Sequence, residues 1–530
     1  LPGWLAFRRS VRHVRKTQET ILFRTLRANR ATDVGRRHGF DSIRSLEDFR
    51  RLPLTDYADY ETDIAAIADG RAAVLTAERV ELLQPTGGST SWTKLIPYTA
   101  TLRQEFRAAI DPWIAGLLLR HPRLLSGRHY WSISPNSPCD LGGHRAVRVG
   151  FADDSEYLGL VQRRMVRGLF AVPPEIRSVE DPEAFRYLTL LFLLRERNLR
   201  LVSVWHPSFM TLLLEAVPRR LGSLVDDIRT GSICPSLALE PGLRETLSRA
   251  LSADPERADE LGRTDGSTAE AAWPRLEVVS CWTDGWSRSA ADRLQARLPQ
   301  ALLQGKGLVA TEGVVSFPFG TTGRKVCAIR SHFLEFLDAG TGDIRFAWEL
   351  ERGRTYSVVL TTGGGLYRYR LHDQIRVTDF IGQAPCLEFV SRDNLVSDLV
   401  GEKLDLLHVE TSLHRAAGDV GVSLDFGMLA PLPRDGIPGY VFYLQTGSAT
   451  AEFDRLALRL EQELCRNYHY QHARRLGQLK PVRIFLVEGD ACEAFRNRVV
   501  AKGAKTGDVK FLALSLDMDW PSVFTGHFVV

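Results

Sequence analysis

The chain lacks most of the features by which membrane proteins and several enzyme classes are recognised. No apolar run reaches the length of a transmembrane helix; the strongest, Tyr187 to Leu194, is bounded by Arg186 and Arg195 and is far too short to span a bilayer. The seven cysteines are odd in number, scattered, and include no C-x-x-C pair. They read as reduced thiols of a cytoplasmic protein rather than as a disulfide framework. There is no G-x-S-x-G elbow and no G-x-x-x-x-G-K-[ST] loop, so neither a hydrolase nucleophile nor a Walker-type phosphate cradle is present. Charge of one sign is scarce as well. Sixty-eight basic against 64 acidic residues leave a net +4, which does not argue for nucleic acid as a partner. The opening residues carry no signal-peptide pattern, and because residue 1 is Leu a few native residues are expected to be missing.

What remains is a long globular chain. Its 530 residues, 44% hydrophobic and 25% charged, exceed one ordinary core, so two domains are expected. A helical opening over about residues 4 to 50 leads into an α/β body; its basic patch, Arg8 to Lys16, reads as a solvated amphipathic face. Tyr130 to Pro135, Leu199 to Val204 and Leu276 to Cys281 read as strands, and Pro207 to Val217 as helix. Ala253 to Ala272 is polar and rich in Asp, Glu and Arg, which predicts an exposed insertion. Beyond Arg392, helix over Ala451 to Arg466 and strand over Pro481 to Glu488 fit a smaller α/β domain. There is no internal repeat.

Three short segments carry the chemistry. Thr86-Gly87-Gly88-Ser89-Thr90-Ser91, followed by Lys94, comes after the strand-like Val80 to Gln84. Its glycines let backbone N–H groups converge on phosphate oxygens, and its hydroxyls add neutral donors; a polar turn would look the same. Ala310-Thr311-Glu312-Gly313 follows an apolar stretch and offers a carboxylate at a strand end, suited to a hard cation or to plain solvation. Tyr367 to Asp373 lies past a hairpin-like element, strand Thr355 to Leu360, turn Gly363 to Gly365, strand Leu366 to Leu371. Its terminal Asp373 is suited to a ribose or to a turn. Their order and spacing together favour an ATP-consuming enzyme.

On these segments the chain resembles a bacterial member of the GH3 acyl acid–amido synthetases, within the adenylate-forming superfamily. The resemblance runs from Gly35-Arg36-Arg37-His38-Gly39-Phe40 through Ser45 to Phe49 and Pro53-Leu54. It continues through Lys94 to Tyr98, Lys306 to Gly313, Phe333-Leu334-Glu335-Phe336 and Gly365 to Arg370. It implies an α/β fold with a large N-terminal ATP- and acyl-binding domain (1–391) and a smaller mobile C-terminal α/β domain (392–530) that carries a catalytic lysine. It further implies that Thr86, Gly87, Gly88, Ser89 and Thr90 enclose the ATP phosphates. Ala310 and Thr311 would approach the α-phosphate, Glu312 would hold Mg²⁺, and Asp373 would bind the ribose. Arg392, on the nucleotide side, and Asp393 would form the hinge. Lys510 is the expected catalytic lysine, with Lys505 as the fallback.

The chain departs from the family pattern at three points. The loop between Gly88 and Lys94 is one residue short, Leu308 stands where an adenine-stacking aromatic is usual, and His372 stands where glycine usually precedes the ribose aspartate. That histidine would either reach the nucleotide or face solvent. For the acyl pocket, Trp205, His206 and Phe209 form one candidate wall and Thr283, within Trp282 to Trp286, a second; the aromatics would equally serve as core.

The implied reaction adenylates a carboxylic acid and passes the acyl group to an amine or amino acid, releasing pyrophosphate and AMP. Two other readings stay open: transfer to coenzyme A or a carrier thiol, and a nucleotide- or acyl-binding protein without turnover. Neither nucleic acid nor stable membrane association is expected.

Overall fold

The computed structural model describes residues 2–86, 94–131, 147–149, 169–264, 269–284, 287–320, 323–392, 396–432, 436–447, 452–501 and 513–530. Gly87 to Thr90, Ser132 to Pro135, Gly285-Trp286, Asp393, Lys505 and Lys510 lie outside these residues, as do the side chains of Thr86 and Arg392. The chain divides into two compact units, one of residues 1–86 with 94–393, the other of residues 394–530.

The first unit opens with the expected helices, Pro2–Ser10 and Val14–Asn29. In the second of these Val14, Ile21, Leu22 and Leu26 bury one face, the stripe that a period of 3.6 produces. Gln18 sits in that stripe. Its amide donates to the carbonyls of Ile329 at 2.8 Å and His332 at 2.7 Å and accepts from the Leu334 N–H at 2.8 Å, so a buried polar side chain is fully satisfied. Strands β1 (Leu82–Thr86) and β2 (Lys94–Tyr98) pair antiparallel around the phosphate-loop segment. Strand β3 (Arg128–Trp131) follows, and the short β4 (Arg148–Val149) runs parallel to β1.

A parallel sheet of order β3-β5-β6-β7 is completed by β5 (Leu199–Ser203), β6 (Val278–Cys281) and β7 (Leu302–Gly305). Between β3 and β6 lie helices Pro182–Arg195 and Pro207–Thr230. The first starts at Asp181, whose carboxylate accepts from the Ala184 N–H at 2.7 Å, with proline next, both strong helix-start signals.

A seven-stranded, largely antiparallel sheet takes the rest of the unit. It comprises β8 (Ser316–Phe319), β9 (Arg324–Cys327), β10 (Phe333–Asp338), β11 (Ile344–Phe346), β12 (Thr355–Thr361), β13 (Tyr369–Ile381) and β14 (Ala384–Arg392). Its order is β11-β10-β12-β13-β14-β9-β8. Phe7, Leu22, Phe49 and Tyr60 from the opening segments share one core with Phe317, Phe333, Val358 and Ile375 of this sheet.

The polar stretch 253–272 is exposed along most of its described residues, Glu256, Asp259, Glu260 and Arg263 among them, as expected. It forms the Pro255–Gly262 helix, which buries Arg257, Ala258 and Leu261. The Arg257 guanidinium donates to the Leu194 carbonyl at 2.8 Å and the Ala272 carbonyl at 2.5 Å. Composition gives no sign of this one docked residue, because a single guanidinium of the segment is spent on buried carbonyls at neighbouring helix ends.

The second unit is built on β17 (Phe426–Leu432), β18 (Gly439–Gln445), β19 (Arg483–Val487) and β20 (Gly526–Phe528), in that spatial order; a two-stranded ribbon, β15 (Val396–Ser397) with β16 (Leu404–Asp405), precedes it. Helices Leu406–Val420 and Phe453–Leu464 bury Val409, Leu413, Leu456 and Leu460 in one core with the sheet's Phe442 and Ile484. The alternation read beyond Arg392 is present. Among the described residues no helix is long and apolar enough to cross a membrane.

Candidate active site

Residues 306–316 form a hairpin with Thr311 and Glu312 at its tip. The tip is closed by reciprocal backbone bonds, Ala310 N–H to Gly313 carbonyl at 3.0 Å and Gly313 N–H to Ala310 carbonyl at 3.2 Å. At the base Gly307 adopts φ +81°, and a Cβ there would come 2.4 Å from the Ser316 carbonyl oxygen; only glycine fits. Glu312 was expected at a strand end. It lies instead in this tight turn, a more rigid mount for a carboxylate.

A line of buried polar groups braces the turn. The Val314 N–H donates to His332 Nε2 at 3.0 Å, so Nδ1 carries the proton and meets Glu105 Oε2 at 2.8 Å. The Gly363 N–H also donates to Glu105 Oε2, at 2.9 Å. A Cβ on Gly313 would fall 2.9 Å from the imidazole, which explains the glycine after the Thr-Glu pair. On the other side the Tyr98 hydroxyl donates to the Thr311 carbonyl at 2.6 Å. Strand β2 and the helix Ala100–Arg120, which carries Glu105, thus hold the turn from two directions.

The Glu312 side chain is 7% exposed and meets no cationic side chain among the described residues. A nearly buried carboxylate without a protein cation fits a metal ligand. No group of three or more His, Cys, Asp or Glu side chains that could hold a metal occurs among the described residues. A cation held at Glu312 could complete its shell from phosphate oxygens and water, the usual habit of Mg²⁺.

Asp373 was expected past the end of a hairpin strand. It lies inside the 13-residue β13, opposite Arg392 of β14. Pairing with β12 jumps from Val359–Arg370 to Ser357–Gln374, so Leu371, His372 and Asp373 together bulge opposite Val358. Bulges re-aim side chains near functional sites. His372 has φ +64°, the left-handed conformation that favours glycine. The geometry that glycine usually supplies here is therefore kept, with histidine in place. His372 is not a solvent-facing loop residue, because its Nε2 meets Asp56 Oδ1 at 2.6 Å.

The most specific motif of the sequence is structural except at its end. Gly365 (φ +97°) passes Leu75 so closely that a Cβ would sit 2.6 Å from the Leu75 Cβ. The Tyr367 hydroxyl donates to the Leu75 carbonyl at 2.8 Å. The buried Arg368 guanidinium pairs with Glu335 at 3.1 and 3.0 Å and donates to the Arg50 carbonyl at 2.6 Å and to that of Leu52. Leu308 belongs to the periphery of the main core. Lys94 lies opposite Thr86 in the hairpin, its ammonium 5.6 Å from the Tyr57 ring centre.

The acyl-pocket candidates follow the ends of β5 and β6, where parallel sheets bind ligands. Trp205 is 40% exposed and tilts against Trp282, ring centres 5.8 Å apart; His206 is buried with its ring 6.5 Å from Trp282. Phe209 packs in the helix interior near Phe185 at 6.4 Å and is buried, an ordinary core aromatic. Thr283 packs on β7, where a Cβ at Gly305 would come 2.3 Å from its hydroxyl. Sequence reasoning missed Glu105, His332, Tyr98 and Lys306 as supporting residues. Tyr98 and Lys306 lay inside motif segments, whereas nothing in the sequence marks Glu105 or His332.

Residues 5–300 match the model of the GH3 family N-terminal domain, residues 325–392 that of the GH3 central domain, and residues 408–518 that of the GH3 C-terminal domain. The chain belongs to the GH3 family. Indole-3-acetic acid-amido synthetase GH3.8 of Oryza sativa subsp. indica is 26% identical over 539 residues, covering 94% of this chain and 88% of that protein. Indole-3-acetic acid-amido synthetase GH3.3 of Arabidopsis thaliana is 23% identical over 542 residues, covering 94% and 89%. Among solved structures, AtGH3.15 acyl acid amido synthetase in complex with 2,4-DB matches with a TM-score of 0.67 at 19% identity, over 99% of this chain and 96% of that one. The GH3 resemblance read from the motifs is borne out, and so is the fold: a large N-terminal α/β body with a smaller C-terminal α/β domain.

Proposed function

We propose that this GH3 chain is an AMP-forming ligase that adenylates a small-molecule carboxylic acid with ATP and transfers the acyl group to an amine or amino acid. The observation that carries the reading is the braced Ala310–Gly313 turn, which presents at its tip Thr311 and a Glu312 that meets no cation among the described residues. In the first step a carboxylate oxygen bonds to the α-phosphorus of ATP and the bond to pyrophosphate breaks. In the second, the amine nitrogen bonds to the acyl carbon, AMP leaves with the former carboxylate oxygen, and the nitrogen releases a proton.

In this assignment Thr86, Gly87, Gly88, Ser89 and Thr90 hold the phosphates, with Ala310 and Thr311 at the α-phosphate. Asp373 binds the ribose, Arg392 lies beside it at the domain junction, and Lys510 supplies the catalytic ammonium from the C-terminal domain. Mg²⁺ held by Glu312 would offset charge on the phosphates when bound. Trp205 and His206 line the acyl side, with Thr283 behind them. The assigned setting is the cytoplasm, which suits the six cysteines of the described residues, all free.

The test is pyrophosphate release from ATP across aliphatic, aryl and indolic acids, with and without amino acids, with mass detection of the amide. Acid-dependent release that leads to an amide is expected. Release accelerated by thiols and not by amines would replace this reading with a thioester ligase. Glu312→Gln should lower the rate about 100-fold or more, the scale of removing one transition-state electrostatic contact, with the unfolding midpoint unchanged.

A further inference from the structure

Lys306 is a buried cation that the adenylation chemistry does not use. It is 5% exposed and follows directly on β7, its N–H donating to the Cys281 carbonyl at 3.0 Å. From there its side chain crosses the carboxyl edge of the parallel sheet to Ser203 at the end of β5, Nζ to Oγ 2.6 Å. Two indoles enclose it, with the ring centre of Trp113 at 5.5 Å and that of Trp205 at 5.0 Å. Trp113 is held in place by its Nε1–H to Gln304 Oε1 bond at 3.0 Å. No carboxylate pairs with Lys306 among the described residues. The facing titratable groups are few. Cys281 has a thiol that burial pushes up to about 12, Asp284 is already paired with Lys325, and His206 packs edge-on against Trp282 at 6.5 Å. Burial pushes the Lys306 ammonium itself down to about 8.

A buried ammonium costs several kcal/mol unless something compensates it. One hydroxyl and two indole faces compensate only in part. The same box has what an anionic, planar ligand needs: a cation at its end, flat apolar walls, and solvent access at Trp205, which is 40% exposed. Lys306 lies at the base of the hairpin whose tip holds Thr311. Thr311 lies five positions on, at most roughly 17 Å of extended chain. In the ligase reading the reacting carboxylate stands at the tip, which leaves the base to the far end of the acid.

We infer that Lys306 is a specificity-determining residue that binds a second acidic oxygen at the distal end of a planar acid substrate, with Trp113 and Trp205 as the walls. The substrate class is an aryl or similarly flat carboxylic acid carrying a further carboxylate or phenolic hydroxyl opposite the reacting group. This rests on Thr311 standing at the α-phosphate, and so on the ligase reading above.

Direct binding separates the two ideas, because it needs no turnover. Benzoate, 4-hydroxybenzoate and terephthalate would be titrated calorimetrically into the wild-type chain and into Lys306→Met. The distally substituted acids should bind the wild type about 10- to 100-fold more tightly than benzoate, the scale of a hydrogen bond to a charged group. Lys306→Met should erase that preference and leave benzoate within about 3-fold. Wild-type affinity for terephthalate should also fall as pH rises through about 8, while that for benzoate stays flat; this arm needs no variant and so survives a folding defect in Lys306→Met. Equal wild-type affinity for benzoate and the substituted acids, or an unchanged preference in a folded Lys306→Met, would overturn the assignment. So would the absence of any binding by the substituted acids. Pyrophosphate release with any acid, measured in parallel, reports on the ligase reading alone.

Discussion

Arg368 and Lys306 are both buried cations of the first unit, and they are treated in opposite ways. Arg368 meets Glu335 through two nitrogens and two backbone carbonyls through a third. Lys306 meets a serine hydroxyl and two indole faces. The satisfied cation ties the opening helices to the large sheet, in the manner of a structural network. The unsatisfied one stands at the carboxyl edge of a parallel sheet, where a ligand can complete it. How far a buried charge is satisfied by its own chain thus separates scaffold from site within one domain.

The largest test of that contrast removes the satisfied cation. Arg368→Met leaves Glu335 buried without its partner and should cost about 3–5 kcal/mol in urea unfolding. Adding Glu335→Leu should recover much of the loss. If Arg368→Met were neutral, the contrast would collapse.

Lys306→Met should instead be neutral or stabilising near pH 7, and the sign of its pH dependence follows from linkage. The folded chain releases the Lys306 proton near pH 8, against 10.5 for an ordinary lysine. Between those values the unfolded chain binds more protons, so stability rises with pH across that window. The gain approaches roughly 3 kcal/mol, from 2.5 units at about 1.36 kcal/mol each. Wild-type stability should therefore climb relative to Lys306→Met from pH 8 to 10; a parallel pair of curves would refute a depressed Lys306.

The brace behind the Ala310–Gly313 turn belongs with the satisfied class. His332→Leu leaves the Val314 N–H without its acceptor and should cost about 1–3 kcal/mol, read from the urea midpoint, with pyrophosphate release falling further than stability alone would require. The smallest effect is expected at His372, whose Asp56 partner is 45% exposed. His372→Gly trades a hydrogen bond to a partly exposed carboxylate against relief of the left-handed backbone, a net change within about 0.5 kcal/mol. The KM for ATP should shift less than about 3-fold, and a larger shift would place this histidine on the nucleotide.

Much of this molecule was legible in the residues. Leu199 to Ser203 and Arg483 to Val487 are mostly apolar segments of strand length, and Asp181-Pro182 opens a helix where capping chemistry says it should. Gly307, Gly313 and Gly365 marked places where a side chain would strike backbone, a neighbouring side chain or an imidazole. Such signals are local: periodicity, caps and steric room act within a few residues, so the chain's own order reveals them.

Other properties are not local. Glu105 and His332 are 227 residues apart and meet at 2.8 Å; neither side chain announces the other. Arg257 looked solvated until the Leu194 carbonyl 63 residues away received it. Trp113, Ser203 and Lys306 come from three separate stretches, and only strand order brings an ammonium between two indoles. The sequence by itself determined the family, the two α/β domains and the Thr311–Glu312 pair. The tertiary structure alone decided which charges are satisfied, because burial and partnership depend on distant segments arriving at one point, and it set the braced Ala310–Gly313 turn apart from the sparsely partnered Lys306.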